Sequence, residues 1–311
     1  MFTLDKKTIR DAGAFFVGEL ERLDQTIHNP LAVVTWGRDI DLRDDVTLGD
    51  ELSSFTNSSF AAAGGIYANG INWVGKDSTA IAGMAVSIDK TSKPLRLWGQ
   101  EIGFTVQELA AAQRVGRPID LQKFDGLKLK NQMDIDQMVY LGDDVVGATG
   151  LCNNASITPL TVAKTWATST PLEILASINS VLETAWAQSG YAILPDRLLV
   201  PPTAMSKLTQ PITDAGSMSI LQYVREQCLC NSVNGRPLDI APVKHLAGAG
   251  VGKKDRMVAY TKDRQYVRYP LVPLQHTPVE YRGLYQITTY YAALGELEFV
   301  YAETVAYADG I

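Results

Sequence analysis

Apolar positions recur every three or four residues from 5 to 24, where Ile9, Ala12, Phe16, Leu20 and Leu23 fall on one side of a helix with Asp5 placed as its cap. Such a stripe has to be buried against something. The stretch that follows, NPLAVVTWGRDIDLRDDVTLGDELSSF, has little periodicity and reads as extended. A terminal helix with an unaccompanied stripe and an extended leader predicts an arm that docks on a neighbour, with Trp36 and Arg38 among its contacts.

The pattern then changes. Residues 55–83 are rich in Ser, Asn, Ala and Gly, with a turn at Asn69-Gly70 and a candidate loop tip at Gly75-Lys76-Asp77-Ser78. From 84 to 104 apolar residues alternate, Met84, Val86 and Ile88 on one side, then Leu95, Leu97, Ile102 and Phe104, with a break at Ser92-Lys93-Pro94. A long exposed β-hairpin leading into a sheet is predicted. Trp73 and Lys76, near its tip, are candidate contacts.

Helical punctuation dominates the middle. Thr105 and Glu108 form a capping-box pair, helix formers follow, and Gly142 stands at the expected stop. Gly116 and Pro118 predict a kink or two helices end to end; a continuous rod would be about 55 Å long, a spine for the domain. A second helix is predicted over 170–190, with Thr170 as cap, Pro171 at the first helical position and Glu173 completing the box. Strands at 197–202 and 237–246 bracket a helix at 217–227. Residues 256–307 are strand-rich in Tyr, Val, Leu and Thr. This order predicts an α+β fold with an interrupted domain.

Composition narrows the function. A net charge of -6, with no run of Lys or Arg beyond two, disfavours tight DNA binding. Cys152, Cys228 and Cys230 read as reduced structural thiols, because a C-x-C pair without a nearby His or Cys makes no zinc set. Charges throughout the first twenty residues, without the apolar stretch of a signal peptide, imply folding in a reducing cytoplasm. No segment approaches the roughly 20 apolar residues of a membrane span.

Candidate chemistry is sparse. AGAGVGKKD (247–255) fails at both ends as a phosphate loop and reads as a flexible loop. Asp39, Asp41, Asp44 and Asp45 lack the glycine and distal Glu of a calcium loop and read as a solvated acidic arm. Asp143 and Asp144 read as a turn. His28, His245 and His276 sit in unrelated contexts, and no G-x-S-x-G elbow is present. The expectation is no enzyme, no cofactor and no metal.

The ordered set WGRDIDL (36–42), PLRLWGQEIGFTVQEL (94–109), VYLGDDVVGATGLCNN (139–154) and the strand-rich carboxy-terminal stretch resembles the major capsid proteins of tailed phages with the Hong Kong 97-type fold. The third segment is similar to the Y-x-G-x-x-x-x-G-x-x-G-L-x-N turn of that superfamily, which includes encapsulins. The resemblance implies an N-terminal arm (1–54), an extended loop (55–93), a peripheral domain with the spine helix (94–147), an axial domain (148–255) and return strands (256–311). It implies a structural protein of the virion that self-assembles through hexamers and pentamers into an icosahedral shell around double-stranded DNA, contacted non-specifically. Scaffold, portal and decoration proteins are further partners it suggests. Lys76 is a candidate for a cross-linking lysine in position only; with no Asn partner mapped, cross-linking is not predicted either way. The rival readings are an encapsulin-like nanocompartment, a soluble α+β enzyme and a tail-tube or portal-proximal component.

Overall fold

The structure, a computed structural model, describes residues 32–62, 72–74, 76, 83–115, 119–212 and 218–311. The chain divides into two compact units, Met1–Val33 and Val34–Ile311; the account below concerns the second. The helix predicted over 5–24, with Phe16, Leu20 and Leu23, lies outside the described residues, as does His28.

Residues 34–43 are not an extended leader. A single helical turn, α1 (Trp36–Asp39), leads into β1 (Asp41–Arg43), which pairs in parallel with a strand more than 220 residues later. Trp36 and Ile40 belong to the core. The predicted hairpin is present: β2 (Leu52–Ala62) and β3 (Met84–Pro94) pair antiparallel from Leu52 opposite Pro94 to Ala62 opposite Met84. The break expected at Ser92-Lys93-Pro94 comes one residue later, at Leu95: those three residues are still paired with Ser54, Ser53 and Leu52, and β4 runs over Arg96–Thr105. Ile102 and Phe104 face the spine helix, whereas Leu97, one step out of phase with them, is 72% exposed.

Thr105 and Glu108 exchange side chain-to-backbone hydrogen bonds of 3.0 and 3.1 Å, which opens α2 (Val106–Val115). Beyond 116–118, which are not described, α3 runs over Ile119–Tyr140. Its buried stripe, Leu127, Asn131, Ile135 and Val139, repeats every four residues as one helix face requires. A small hairpin follows, β5 (Gly142–Asp143) with β6 (Ala148–Thr149), then β7 (Leu160–Thr161) and α4 (Pro171–Gln188). The capping box of α4 is complete, and Ile174, Ile178, Val181, Leu182 and Ala185 are buried.

β8 (Arg197–Val200) and β9 (Asp239–Pro242) are parallel neighbours joined by α5 (Pro202–Leu208), α6 (Ile220–Gln227) and α7 (Leu229–Asn234). Then come β10 (Arg256–Tyr260), β11 (Val267–His276), β12 (Glu280–Arg282), β13 (Tyr285–Leu294), β14 (Glu298–Phe299) and β15 (Ala306–Asp309).

These strands make two principal sheets. One joins β1, β11, β13 and β12, with β14 on β11 and β4 on β13. The other runs β7-β15-β10-β8-β9 and has a core on each face. Val258, Tyr260, Leu199 and Tyr307 enter the core shared with the spine helix; Met257, Ala259, Leu198, Val200, Ala306 and Ala308 enter the core under α4. Because successive strand residues alternate faces, a sheet buried on both sides needs continuous apolar runs. RLLV and RMVAY supply them.

Candidate assembly surface

Asp39 is the electrostatic centre of the body's entry. Its side chain is fully buried and accepts from Arg38 Nε at 2.7 Å, Arg197 Nη2 at 2.5 Å and the Tyr140 hydroxyl, while its backbone oxygen accepts from Tyr260 at 2.6 Å. Burial pushes the carboxyl up, but the hydrogen bonds from Arg38, Tyr140 and Arg197 outweigh it and hold it below the usual aspartate value. Four parts of the sequence, at 38–39, 140, 197 and 260, meet at this one residue. Beside it, Asp136 of the spine helix accepts from the backbone N–H groups of Thr35 (2.9 Å) and Trp36 (3.1 Å) and contacts Lys244 and His245. The reading of Asp39 as part of a solvated cluster is therefore corrected.

The turn after the spine helix is determined by backbone contact. Gly142 has φ +71, and a Cβ there would lie 2.1 Å from the Ala148 oxygen; one on Gly150 would lie 2.4 Å from the Tyr140 carbonyl carbon. Asn153 ties the two ends, accepting from Gly150 N at 2.7 Å and donating to the Leu141 oxygen at 2.6 Å. Leu151 is fully buried between them. The spacing Tyr140, Gly142, Gly147, Gly150, Leu151, Asn153 thus has a packing reason at nearly every position.

The β2–β3 hairpin has two unlike faces. Odd-numbered residues near its base meet the body: Ser53 donates to the buried Glu298, Asn57 Nδ2 to the Val300 oxygen at 2.8 Å, and Lys93 Nζ to Glu296 at 2.6 Å. On the other face, toward the tip, Phe60 is opposite Val86, Ser58 opposite Ile88 and Ala62 opposite Met84. Phe60, Met84, Val86 and Ile88 are 69%, 69%, 55% and 68% exposed. Four large apolar side chains converge on one free face, against the ordinary pattern of scattered exposed apolar residues.

Among the described residues, no group of three or more His, Cys, Asp or Glu gathers as a metal site. Cys152, Cys228 and Cys230 are buried and free. The loop 247–255 is pinned, with Gly248 N donating to Asp255 and Val251 N to Asp309, which corrects the expectation of a flexible loop.

A family model described as major capsid protein matches residues 70–311. The chain belongs to that family. No curated protein matches the sequence. Solved structures give the fold: the capsid of the Myoviridae phage XM1 superposes with TM-score 0.77 at 19% identity, covering 94% of this chain and 98% of that one. The capsid of a native GTA particle gives 0.65 at 10% (96% and 98% covered), and Mycobacterium phage Bobi 0.62 at 11% (100% and 99% covered). The capsid protein has the Hong Kong 97-type fold and is a structural component of a virion shell.

Of the contact residues expected for a capsid subunit, Trp36 is in the wrong place. It is 9% exposed, with Nε1 donating to Gln132 at 3.0 Å, and is occupied inside its own chain. Arg38 also serves its own chain, through Asp39 and the Pro242 oxygen at 3.0 Å. Trp73 is 64% exposed and Lys76 is exposed. Sequence reasoning placed Met84, Val86 and Ile88 on one strand face but did not single them out as contacts; their alternation was the available signal. It also missed the exposed tip Tyr281, Leu284 and Tyr285 at the β12–β13 turn.

Proposed function

We propose that this capsid protein tiles hexamers and pentamers into a closed icosahedral shell around double-stranded DNA, with the β2–β3 hairpin docking its apolar face on a neighbouring copy. The exposed row Phe60, Met84, Val86 and Ile88 on one face of the hairpin carries this reading. Burying each of these side chains is worth about 1–2 kcal/mol. Ring closure needs heterologous contacts repeated around an axis, and a projecting element that reaches beyond its own body suits such contacts. The first 33 residues, with Phe16, Leu20 and Leu23, form a second reaching element in this reading, and Trp73 and Lys76 are contact candidates near the hairpin tip.

In this reading the spine helix with β4 and β11–β14 forms the peripheral region, and the β7-β15-β10-β8-β9 sheet with α4–α7 the axial region. The packaged DNA is contacted without sequence specificity, in keeping with the net charge of -6. Scaffold, portal and decoration proteins are additional partners, and assembly takes place in the host bacterial cytoplasm, where three unpaired thiols are stable.

The test is the double substitution Val86→Asp and Ile88→Asp, which touches no residue of the core. Soluble, cooperatively unfolding protein that forms no closed particles in negative-stain micrographs is expected. Wild-type shells from this variant would sink the docking role. Nucleic-acid content of purified wild-type shells, against a protein cargo, decides between a genome container and a nanocompartment.

A further inference from the structure

The body-facing side of the hairpin is largely polar, with the half-buried Phe55 as its one large apolar side chain among the described residues. Its contacts fall on one side at alternate positions, Ser53, Asn57 and Lys93, and all reach the segment 296–300 between β13 and the last short helical turn. Glu298 is fully buried and also accepts from Arg43 Nη1 at 3.2 Å and Arg268 Nε at 2.7 Å, so both β1 and β11 hold it in place. Arg43 Nη1 in turn donates to Ser53 Oγ at 3.0 Å and the Ser54 oxygen at 2.9 Å. Glu296, 5% exposed, accepts from Thr149 N at 3.2 Å and Oγ1 at 2.9 Å as well as from Lys93. Each carboxylate is thus fixed by the body on one side and offered to the hairpin on the other. Past Asn57 no hydrogen bond between a hairpin side chain and the body is found among the described residues.

We propose that Glu296 and Glu298 are positioning residues for assembly: with the Val300 carbonyl they form a polar seat that sets the angle at which the hairpin leaves the body. Directional hydrogen bonds hold one angle strongly, and water admitted when the hairpin shifts can take the place of a lost partner, so the seat favours one angle while permitting another. An error at the base grows along the strand: Ala62, nine residues beyond Ser53, stands about 30 Å away at about 3.3 Å per residue. The consequence for shells rests on the docking role given above; the seat itself does not.

Two variants on the hairpin side test it without leaving a buried carboxylate's arginine partners unpaired: Lys93→Met combined with Asn57→Ala, and Lys93→Arg. In the full-length unassembled chain, the double variant is expected to show roughly tenfold faster amide exchange across 52–57 and 90–94 with an unchanged thermal midpoint for the body. Its assembled particles are expected to vary in diameter, while Lys93→Arg restores both wild-type exchange and a single diameter. Unchanged exchange in the double variant overturns the seat. Faster exchange with particles of wild-type diameter overturns the positioning role while leaving the Val86→Asp, Ile88→Asp outcome to judge hairpin docking separately.

Discussion

Asp39 shows how much one residue carries. Replacing it with Ala leaves Arg197, 6% exposed at its side chain, without its buried carboxylate and paired to the exposed Asp239, and deprives the buried Tyr140 hydroxyl of its carboxylate. Breaking a buried pair from one side costs about 3 kcal/mol or more, and a urea unfolding midpoint on the unassembled protein reads the loss. Acid does the same more gradually. For Asp136 burial raises the carboxyl, but His245, the Thr35 N–H and Lys244 lower it further; for Asp309 burial is outweighed by Arg256 and the Val251 N–H. With Asp39, three carboxyls sit below the ordinary value of 3.8 in the folded state. Folded-state depression stabilises above the unfolded value and is lost as pH falls through the folded one. Stability is therefore expected to be level above about pH 5 and to fall progressively below about pH 4, with Asp136→Asn shallowing the slope in acid urea titrations. None of this was visible in the sequence, where Asp39 is one of four nearby aspartates. Its difference from Asp41, Asp44 and Asp45 depends on Arg197, which approaches only in the fold.

At the scale of elements, what was legible is what is local. Both capping boxes, Thr105 with Glu108 and Thr170 with Glu173, form as written, because their partners lie three residues apart. Thr170→Ala is expected to cost about 1 kcal/mol and to leave assembly untouched, which paired unfolding and microscopy measurements check. Gly150→Ala is a harsher case: a methyl 2.4 Å from the Tyr140 backbone has no flexible neighbour to displace. A loss of about 2–4 kcal/mol is expected, in the range for forced backbone strain and overpacking. The short helices α5 and α7 went unpredicted because two turns give too little periodicity to separate from a loop. The hairpin was legible as an element, since Met84, Val86 and Ile88 alternate, yet alternation cannot say which face finds a partner at home. That depended on Glu296, Glu298 and Val300, some 200 residues on.

For the whole molecule, the decisive correction is where the reaching segment ends. The boundary at 54 came from the family resemblance, and the stretch after the predicted helix has little periodicity because one helical turn and a three-residue strand are too short to have a period. The structure puts Trp36 and Ile40 in the core, Asp39 on Arg197, and Asp41–Arg43 in register with Arg268–Pro270. A deletion of residues 1–33 and one of residues 1–40 should therefore behave differently, although they differ by seven residues. Losing Trp36 alone removes about 3–5 kcal/mol of packing, against a typical total stability of about 5–15 kcal/mol, and Asp39 goes with it. The shorter deletion is expected to unfold cooperatively at the full-length midpoint and to fail in forming closed particles, because Phe16, Leu20 and Leu23 are gone. The longer one is expected to lose the cooperative transition itself. Urea unfolding separates the two, and microscopy of the shorter deletion then isolates assembly from folding: regular shells from a chain lacking residues 1–33 would assign that work to the hairpin and the body alone.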